Sequence, residues 1–438
     1  MTDLLFVNAS QIVTCAGPAR ARKGREMADA GVLSNLAVAV SAGRIAALGT
    51  ARDLLGAYDG YAVVDCQGGV LTPGLIDSHT HAVFGKPRFE EHELRALGHG
   101  YMEIAKAGGG IHASVADFRQ RTEDELYDLS AARLSHLSAY GTTTVEIKTG
   151  YGLSLGDELK ALRVIGRLAS HLAIRIVPTW LGAHEIPLDF RAGASRRAEF
   201  LDLLTEEMLP QVQRQGIARF ADVFCEPGVF TIDESRAILL ASRNAGLGVK
   251  IHADELNPSG GAELAAELAA TSADHLAAIS DAGIAAIAGA GVVATLLPGT
   301  MLFLGKPRQA PARALIDAGA AVALATDFNP GTSPGVNFPL ILTLGVSQLR
   351  MTVSEVIIAA TVNGAAALGI AGETGQIAPG FAADLALFQI GDYRELPYWY
   401  GARLCVGAWR AGVACRPYEA EGKLKSLYTH PEARPRGG

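Results

Sequence analysis

The sequence contains no run of about 18 apolar residues, the length a membrane helix needs, although 49% of its residues are hydrophobic. Nor does it carry a disulfide framework. Its five cysteines, Cys15, Cys66, Cys225, Cys405 and Cys415, are odd in number, widely spaced and free of any C-x-x-C pair. That argues against a secreted cystine scaffold and against a zinc ribbon. Buried free thiols in a reducing cytoplasm are the expectation. There is no excess of positive charge, and a net −7 gives no electrostatic footprint for nucleic acid. The opening MTDLLFVNASQIVTC lacks a basic region before its apolar stretch, so it reads as a strand of the mature protein and not as a signal peptide.

What is present fills 438 residues, enough for one large barrel or two to three smaller units. The N-terminal segments LLFVNASQIVTC, LAVAVSAGRIAALG and YAVVDCQGGVLTPG combine apolar runs with Gly or Asn punctuation, and GETGQIAPGFAADLALFQI and CVGAWRAGVACR repeat that texture near the C-terminus. Both ends therefore predict short strands. Residues 1–73 plus 371–438 are expected to form one composite β-domain, a small sandwich, with 74–370 inserted between them. In the insert, β-prone runs alternate with helical segments. The runs are LIDSH (75–79), TTVEIK (143–148), IRIVPTW (174–180), ADVFC (221–225), GVKIH (248–252), SADH (272–275), VVATLL (292–297) and AVALAT (321–326). Eight strand–helix units predict an α/β fold, a (β/α)8 TIM-like barrel; a doubly wound open sheet is the alternative. The long first connection holds AKAGGGI (105–111). No Lys-Ser or Lys-Thr follows these glycines, so a flexible turn beside a helix is expected there and not a phosphate cradle.

Barrel active sites form at the C-terminal strand ends. Here those ends are His79, Lys148, Trp180, Cys225, His252, His275, Leu297 and Thr326, with Asp327 following. His79 and His81 are two apart, and on an extended strand such side chains share a face. With His252 and Asp327 they make a borderline N/O set suited to zinc or iron, with room for water. Asp327 can also accept the proton of an attacking water; taken alone, it equally fits a helix N-cap. Glu255 lies three residues after His252 and can carry a proton to a leaving nitrogen, or be a solvated carboxylate. His275 can stabilise developing negative charge, or be a satisfied core histidine. The fourth strand ends in Cys225-Glu226, with no lysine to bridge two ions, so a single metal ion is expected. Lys148 reads as an ion-pair partner.

PGLIDSHTHAVFGKPR, AGGGI, EIKTGYGL, TWLGAHE, HADE, SADH, LPGT and LATDFNPGTSP occur in this order. They resemble the imidazolonepropionase family of the amidohydrolase superfamily. The terminal segments, including PGFAADLALF, resemble that superfamily's composite β-domain. The resemblance implies hydrolysis of 4-imidazolone-5-propanoate to N-formimino-L-glutamate in histidine degradation. It implies His79, His81, His252 and Asp327 as metal ligands, for zinc or iron. It implies Arg88 as the holder of the substrate carboxylate, with Tyr151, His184, Glu255, Asn329, Gly331 and Thr332 as further substrate contacts. Without it, Arg88 reads equally as a surface ion pair, Tyr151 as a half-buried aromatic and Asn329 as a turn residue. The segment KPRFEEHELR departs from the family pattern before the arginine and at His92, where phenylalanine is expected. A single-metal deaminase acting on a nucleobase-like ring is the alternative activity, and a barrel that has lost catalysis would be expected to have lost ligands. The expected partners are a small molecule with a carboxylate tail and a second copy of the chain in a homodimer, with neither nucleic acid nor membrane.

Overall fold

The computed structural model describes residues 3–99, 103 and 109–416. Residues 105–108 of the AKAGGGI run lie outside the described residues. Gly110, at φ 77°, opens directly into the helix Ile111–Gln120.

Seven strands precede the barrel: Leu4–Val7 (β1), Gln11–Val13 (β2), Val32–Leu33 (β3), Ala37–Ser41 (β4), Arg44–Gly49 (β5), Ala62–Asp65 (β6) and Val70–Pro73 (β7). The barrel strands are Leu75–Asp77 (β8), Thr142–Lys148 (β9), Arg175–Ala183 (β10), Phe220–Cys225 (β11), Gly248–Ala253 (β12), Ser272–His275 (β13), Val293–Leu296 (β14) and Ala321–Leu324 (β15). Among the described residues three more follow: Leu385–Phe388 (β16), Cys405–Arg410 (β17) and Val413–Arg416 (β18).

Strands β8 to β15 form one parallel sheet in sequence order. Its ends meet at the C-terminal rim. Thr80 bridges Phe328, Asp327 N–H donates to the His79 carbonyl at 3.1 Å, and His81 N–H donates to the Phe328 carbonyl at 2.9 Å. The expected TIM-like barrel is therefore present. Each strand agrees with its sequence run to within a few residues. Such strands are covered on both faces, which is why they read as continuous β-prone runs; every residue of Thr142–Lys148 is buried. The clearest difference is at β10, which runs on past Trp180 to Ala183 and so delivers His184 to the barrel mouth.

The terminal strands form two sheets, ordered β5-β4-β1-β6 and β18-β17-β16-β7-β2-β3. The second joins the two ends of the chain, pairing Leu71 with Leu387 across β7 and β16. Phe6 and Trp409 meet edge to face at 4.9 Å, in a core shared with Ile12, Val38, Leu71 and Leu385. Only Gly74 separates β7 from β8. A Cβ there would overlap Thr143, so the crossing from sheet to barrel needs a residue without a side chain.

Candidate metal centre and active site

The closure of the barrel sets the site. His79 and His81 leave β8 in extended backbone and share a face, their rings 5.3 Å apart. His252, at the end of β12, lies 4.5 Å from His79 and 5.5 Å from His81, centroid to centroid. Asp327 has a left-handed backbone, φ 53°, uncommon for a non-glycine residue and found mostly where structure enforces it. Its Oδ1 is 3.5 Å from His79 Nε2 and 3.6 Å from His81 Nε2. Its Oδ2 accepts a 2.7 Å hydrogen bond from Thr300 Oγ1. The carboxylate is thus held by one oxygen and turned to the imidazoles by the other.

These groups fit a metal ion. The donor atoms of His79, His81 and His252 lie within 4.8 Å of one another, as do those of His79, His275 and Asp327. His79 Nε2 and His252 Nε2 are buried without a hydrogen-bond partner, a costly condition unless something else satisfies them. Burial, with nearby cationic groups adding to it, holds His79, His81 and His252 well below the ordinary histidine value. Neutral imidazoles are what a metal requires. Burial also pushes Asp327 up to about 7, against the opposing hydrogen bond from Thr300; a cation beside it would favour its anion.

His275 register-pairs with Ala253, while His252 pairs with Asp274. Strict alternation would send His275 away from the centre. Its left-handed φ of 78° breaks the alternation and places its ring 5.1 Å from His252. Burial lowers His275 to about 4. Glu255 approaches His275 Nδ1 to 3.6 Å. It is pushed up to about 8 by burial first, then by the carboxylates of Asp327 and Glu226. A carboxylic acid that keeps its proton at neutral pH can donate it.

The other expected residues converge on the same mouth. His184 stacks on His81 at 5.0 Å and hydrogen-bonds through Nδ1 with the Gly150 carbonyl. Tyr151 is buried 5.7 Å from His184 and 6.1 Å from His81. Arg88 lies against Gly331, where a Cβ would overlap its guanidinium, and its Nε is 3.5 Å from Glu91 Oε1. Asn329 is used within its own loop. Its Nδ2 donates to the Asp327 carbonyl and to Thr332 Oγ1, and its Oδ1 accepts from Gly331 N–H and Thr332 N–H. Asn329 therefore shapes the turn that carries Gly331, and Thr332 shares that bonding. His92 stacks flat on Phe303 at 4.6 Å, so a flat ring is kept where phenylalanine was expected.

Sequence reasoning missed what stands behind the clustered histidines. Asp274 Oδ2 is 2.6 Å from His79 Nδ1, and Asp222 Oδ2 is 3.1 Å from His252 Nδ1. Glu226 accepts from Leu256 N–H and Asn257 Nδ2, and so braces the loop carrying Glu255. Glu158 Oε1 accepts from Gly150, Gly152 and Leu153 N–H, holding the turn around Tyr151. The available signal was charge inside buried strands, as in Glu146 and Lys148 of TTVEIK or Lys250 of GVKIH, because a buried charge requires partners.

At the C-terminal rim of this parallel barrel stands a buried cluster of three histidines and an aspartate whose donor set suits a metal ion. Residues 70–399 match the amidohydrolase family model, and the chain belongs to that family. Within it, the chain is 46% identical over 406 residues to the imidazolonepropionase of Geobacillus kaustophilus, covering 92% of this chain and 95% of that protein. It is 45% identical over 427 residues to the imidazolonepropionase of Symbiobacterium thermophilum, covering 97% and 99%. Among solved structures, a zinc-bound adenosine deaminase from Xanthomonas campestris superimposes with a TM-score of 0.69 at 19% identity, covering 94% of this chain and 92% of that one. At that identity the likeness speaks for the fold alone. No helix among the described residues is long and apolar enough to cross a membrane.

Proposed function

We propose that this protein hydrolyses 4-imidazolone-5-propanoate to N-formimino-L-glutamate, the ring-opening step of histidine degradation. The observation that carries the reading is full-length similarity at about 45% to proteins named imidazolonepropionase. His79, His81, His252 and Asp327 are the proposed ligands of one zinc or iron ion. Their support is the neutral, unpartnered Nε2 atoms of His79 and His252 and the Asp327 oxygen turned toward the rings. Such an ion brings the pKa of water to near neutrality and polarises a carbonyl oxygen.

The chain's own residues supply the rest. The Arg88 guanidinium, braced by the Gly331 loop, holds the propionate, for which its planar fork is matched. Tyr151 and His184 enclose the ring. Asp327 accepts the proton of the attacking water. Glu255 keeps its own proton up to about pH 8 and delivers it to the ring nitrogen as the C–N bond of the cyclic amide breaks. His275, neutral at working pH, lies beside the carbonyl oxygen as charge develops there. Cys15, Cys66 and Cys225 are buried free thiols, which suits a reducing cytoplasm.

Purified protein should convert 4-imidazolone-5-propanoate to N-formimino-L-glutamate without releasing ammonia. A chelator should stop turnover, and zinc or iron should restore it, with metal analysis of the same preparation giving the stoichiometry. Ammonia release with no formiminoglutamate would replace this reading with the deaminase. Inactivity of metal-replete protein would remove it.

A further inference from the structure

Lys148 is fully buried inside the barrel at the end of β9, with Glu146, Asp222, Lys250 and Asp274. Its Nζ is 2.6 Å from Asp222 Oδ2, 2.9 Å from Glu146 Oε2 and 3.4 Å from Asp274 Oδ2. Lys250 Nζ shares Glu146 at 2.7 Å and donates to the Ser78 carbonyl at 3.0 Å. Stability alone does not explain such a cluster, since replacing buried ion pairs by well-packed apolar groups is often neutral or stabilising. Geometry offers a reason. The two aspartate oxygens that Lys148 reaches are the same two that face ligand histidines: Asp274 Oδ2 on His79 Nδ1 at 2.6 Å, and Asp222 Oδ2 beside His252 Nδ1 at 3.1 Å. One ammonium therefore backs two carboxylates, and each carboxylate backs one imidazole.

These atoms come from four strands and the segment just after β8. Lys148 and Asp222 are 74 residues apart, and His79 and Asp274 are 195 apart. The parallel register brings them to one level, with His252 paired to Asp274 on β13 and to Phe224 on β11. At His79 a proton on Nδ1, shared with Asp274, leaves Nε2 with its lone pair for a metal; at His252 the Asp222 oxygen stands 3.1 Å from Nδ1 without hydrogen-bond alignment.

We propose that Lys148 is a positioning residue of the metal centre, anchoring Asp222 and Asp274 so that His252 and His79 present Nε2 inward. The inference rests on the reading of His79 and His252 as ligands. Lys148 touches neither substrate nor metal; it acts through the two aspartates.

The test is zinc affinity of metal-stripped full-length protein, measured by competition with a chromophoric chelator. Circular dichroism and melting with and without zinc accompany it. Lys148→Met keeps the stem and removes the charge. It should stay folded yet bind zinc about 10–100-fold more weakly than wild type, the range for lost outer partners of a metal ligand. A purely structural lysine would lower the melting temperature of the stripped protein and leave both zinc affinity and the zinc-induced rise unchanged. Folded Lys148→Met binding zinc as tightly as wild type would overturn the proposal. If Lys148→Met does not fold, Lys148→Arg decides, because it keeps the buried charge but shifts the donors that hold the two aspartates: weakened zinc binding supports the proposal and unchanged binding overturns it. His79→Ala separates the two levels. Undiminished zinc binding there would remove the ligand reading itself, whereas tight binding by Lys148→Met removes only the role of Lys148.

Discussion

Gly331→Ala tests the substrate anchor without touching a charge. A Cβ at position 331 would overlap Nη2 and Cζ of Arg88, with Nε at 2.5 Å. The backbone there is not left-handed, so alanine meets no torsional penalty, and relief must come from the flexible arginine. To reach ordinary carbon contact, the guanidinium must withdraw by roughly 2 Å. That exceeds the tolerance of a charge-assisted hydrogen bond, and the propionate loses its fork. A hydrogen bond to a charged group contributes about 1.5–3 kcal/mol. At about 1.4 kcal/mol per factor of ten, the substrate KM should rise about 10- to 150-fold.

The anchor acts on ground state and transition state alike, so kcat should fall far less than KM rises. The fold should not suffer. Exchanging glycine for alanine at a compatible backbone stabilises by about 0.4–1 kcal/mol. The pinning is specific, because Arg88 N–H donates to the Pro330 carbonyl at 3.2 Å and Arg95 Nη1 to the Gly331 carbonyl at 3.1 Å, tying the helix Phe89–Ala96 to the loop. Initial rates of N-formimino-L-glutamate formation against substrate concentration give the split. Arg88→Met should show a similar KM, and a substrate analogue without the propionate should show no penalty from Gly331→Ala. An unchanged KM in Gly331→Ala, or an equal penalty on the analogue, would refute Arg88 as the loop-braced carboxylate anchor.

Three other perturbations separate parts of the machinery. Glu255→Gln keeps the shape and removes the transferable proton, so turnover should fall by about 100- to 10,000-fold with melting unchanged; wild-type turnover would end the proton-shuttle role. Glu158→Gln weakens acceptance from three backbone N–H groups around Tyr151; a KM increase larger than the kcat loss is expected, and wild-type kinetics would show that the turn holds itself. Glu234 is brought down from 4.5 to about 2, chiefly by its hydrogen bond with Arg197. Its folded-state pKa is depressed, so its contribution to stability is complete above pH 4.5 and is lost as pH falls toward about 2. Urea midpoints of wild type and Glu234→Gln should differ at neutral pH and converge through that acid window; a constant difference would place the stabilisation elsewhere.

The clustering of the rim histidines was legible because their signal is local. His79 and His81 announce a shared face by spacing alone, and His252 and Asp327 stand where helical composition replaces β-prone composition. The eight strands were legible for the same reason, since each run carries its own pattern. What escaped was everything defined by register. Nothing near Asp222 in sequence points to His252, and nothing near Asp274 points to His79, because closing the parallel sheet is what makes them neighbours. His275 escaped in part as well: its place in SADH was plain, but the positive φ that turns it inward depends on the loop beyond. The buried charges carry the remaining lesson. Glu146, Lys148 and Lys250 look like errors in otherwise apolar strands, and a sequence that tolerates them must assemble partners from strands far along the chain. With Asp222 and Asp274 they form one enclosed set, in which Lys148 reaches three acidic side chains and Lys250 two. The buried charges of the strands and the histidines at the rim are thus one connected unit, divided among strands that only the closed sheet brings together.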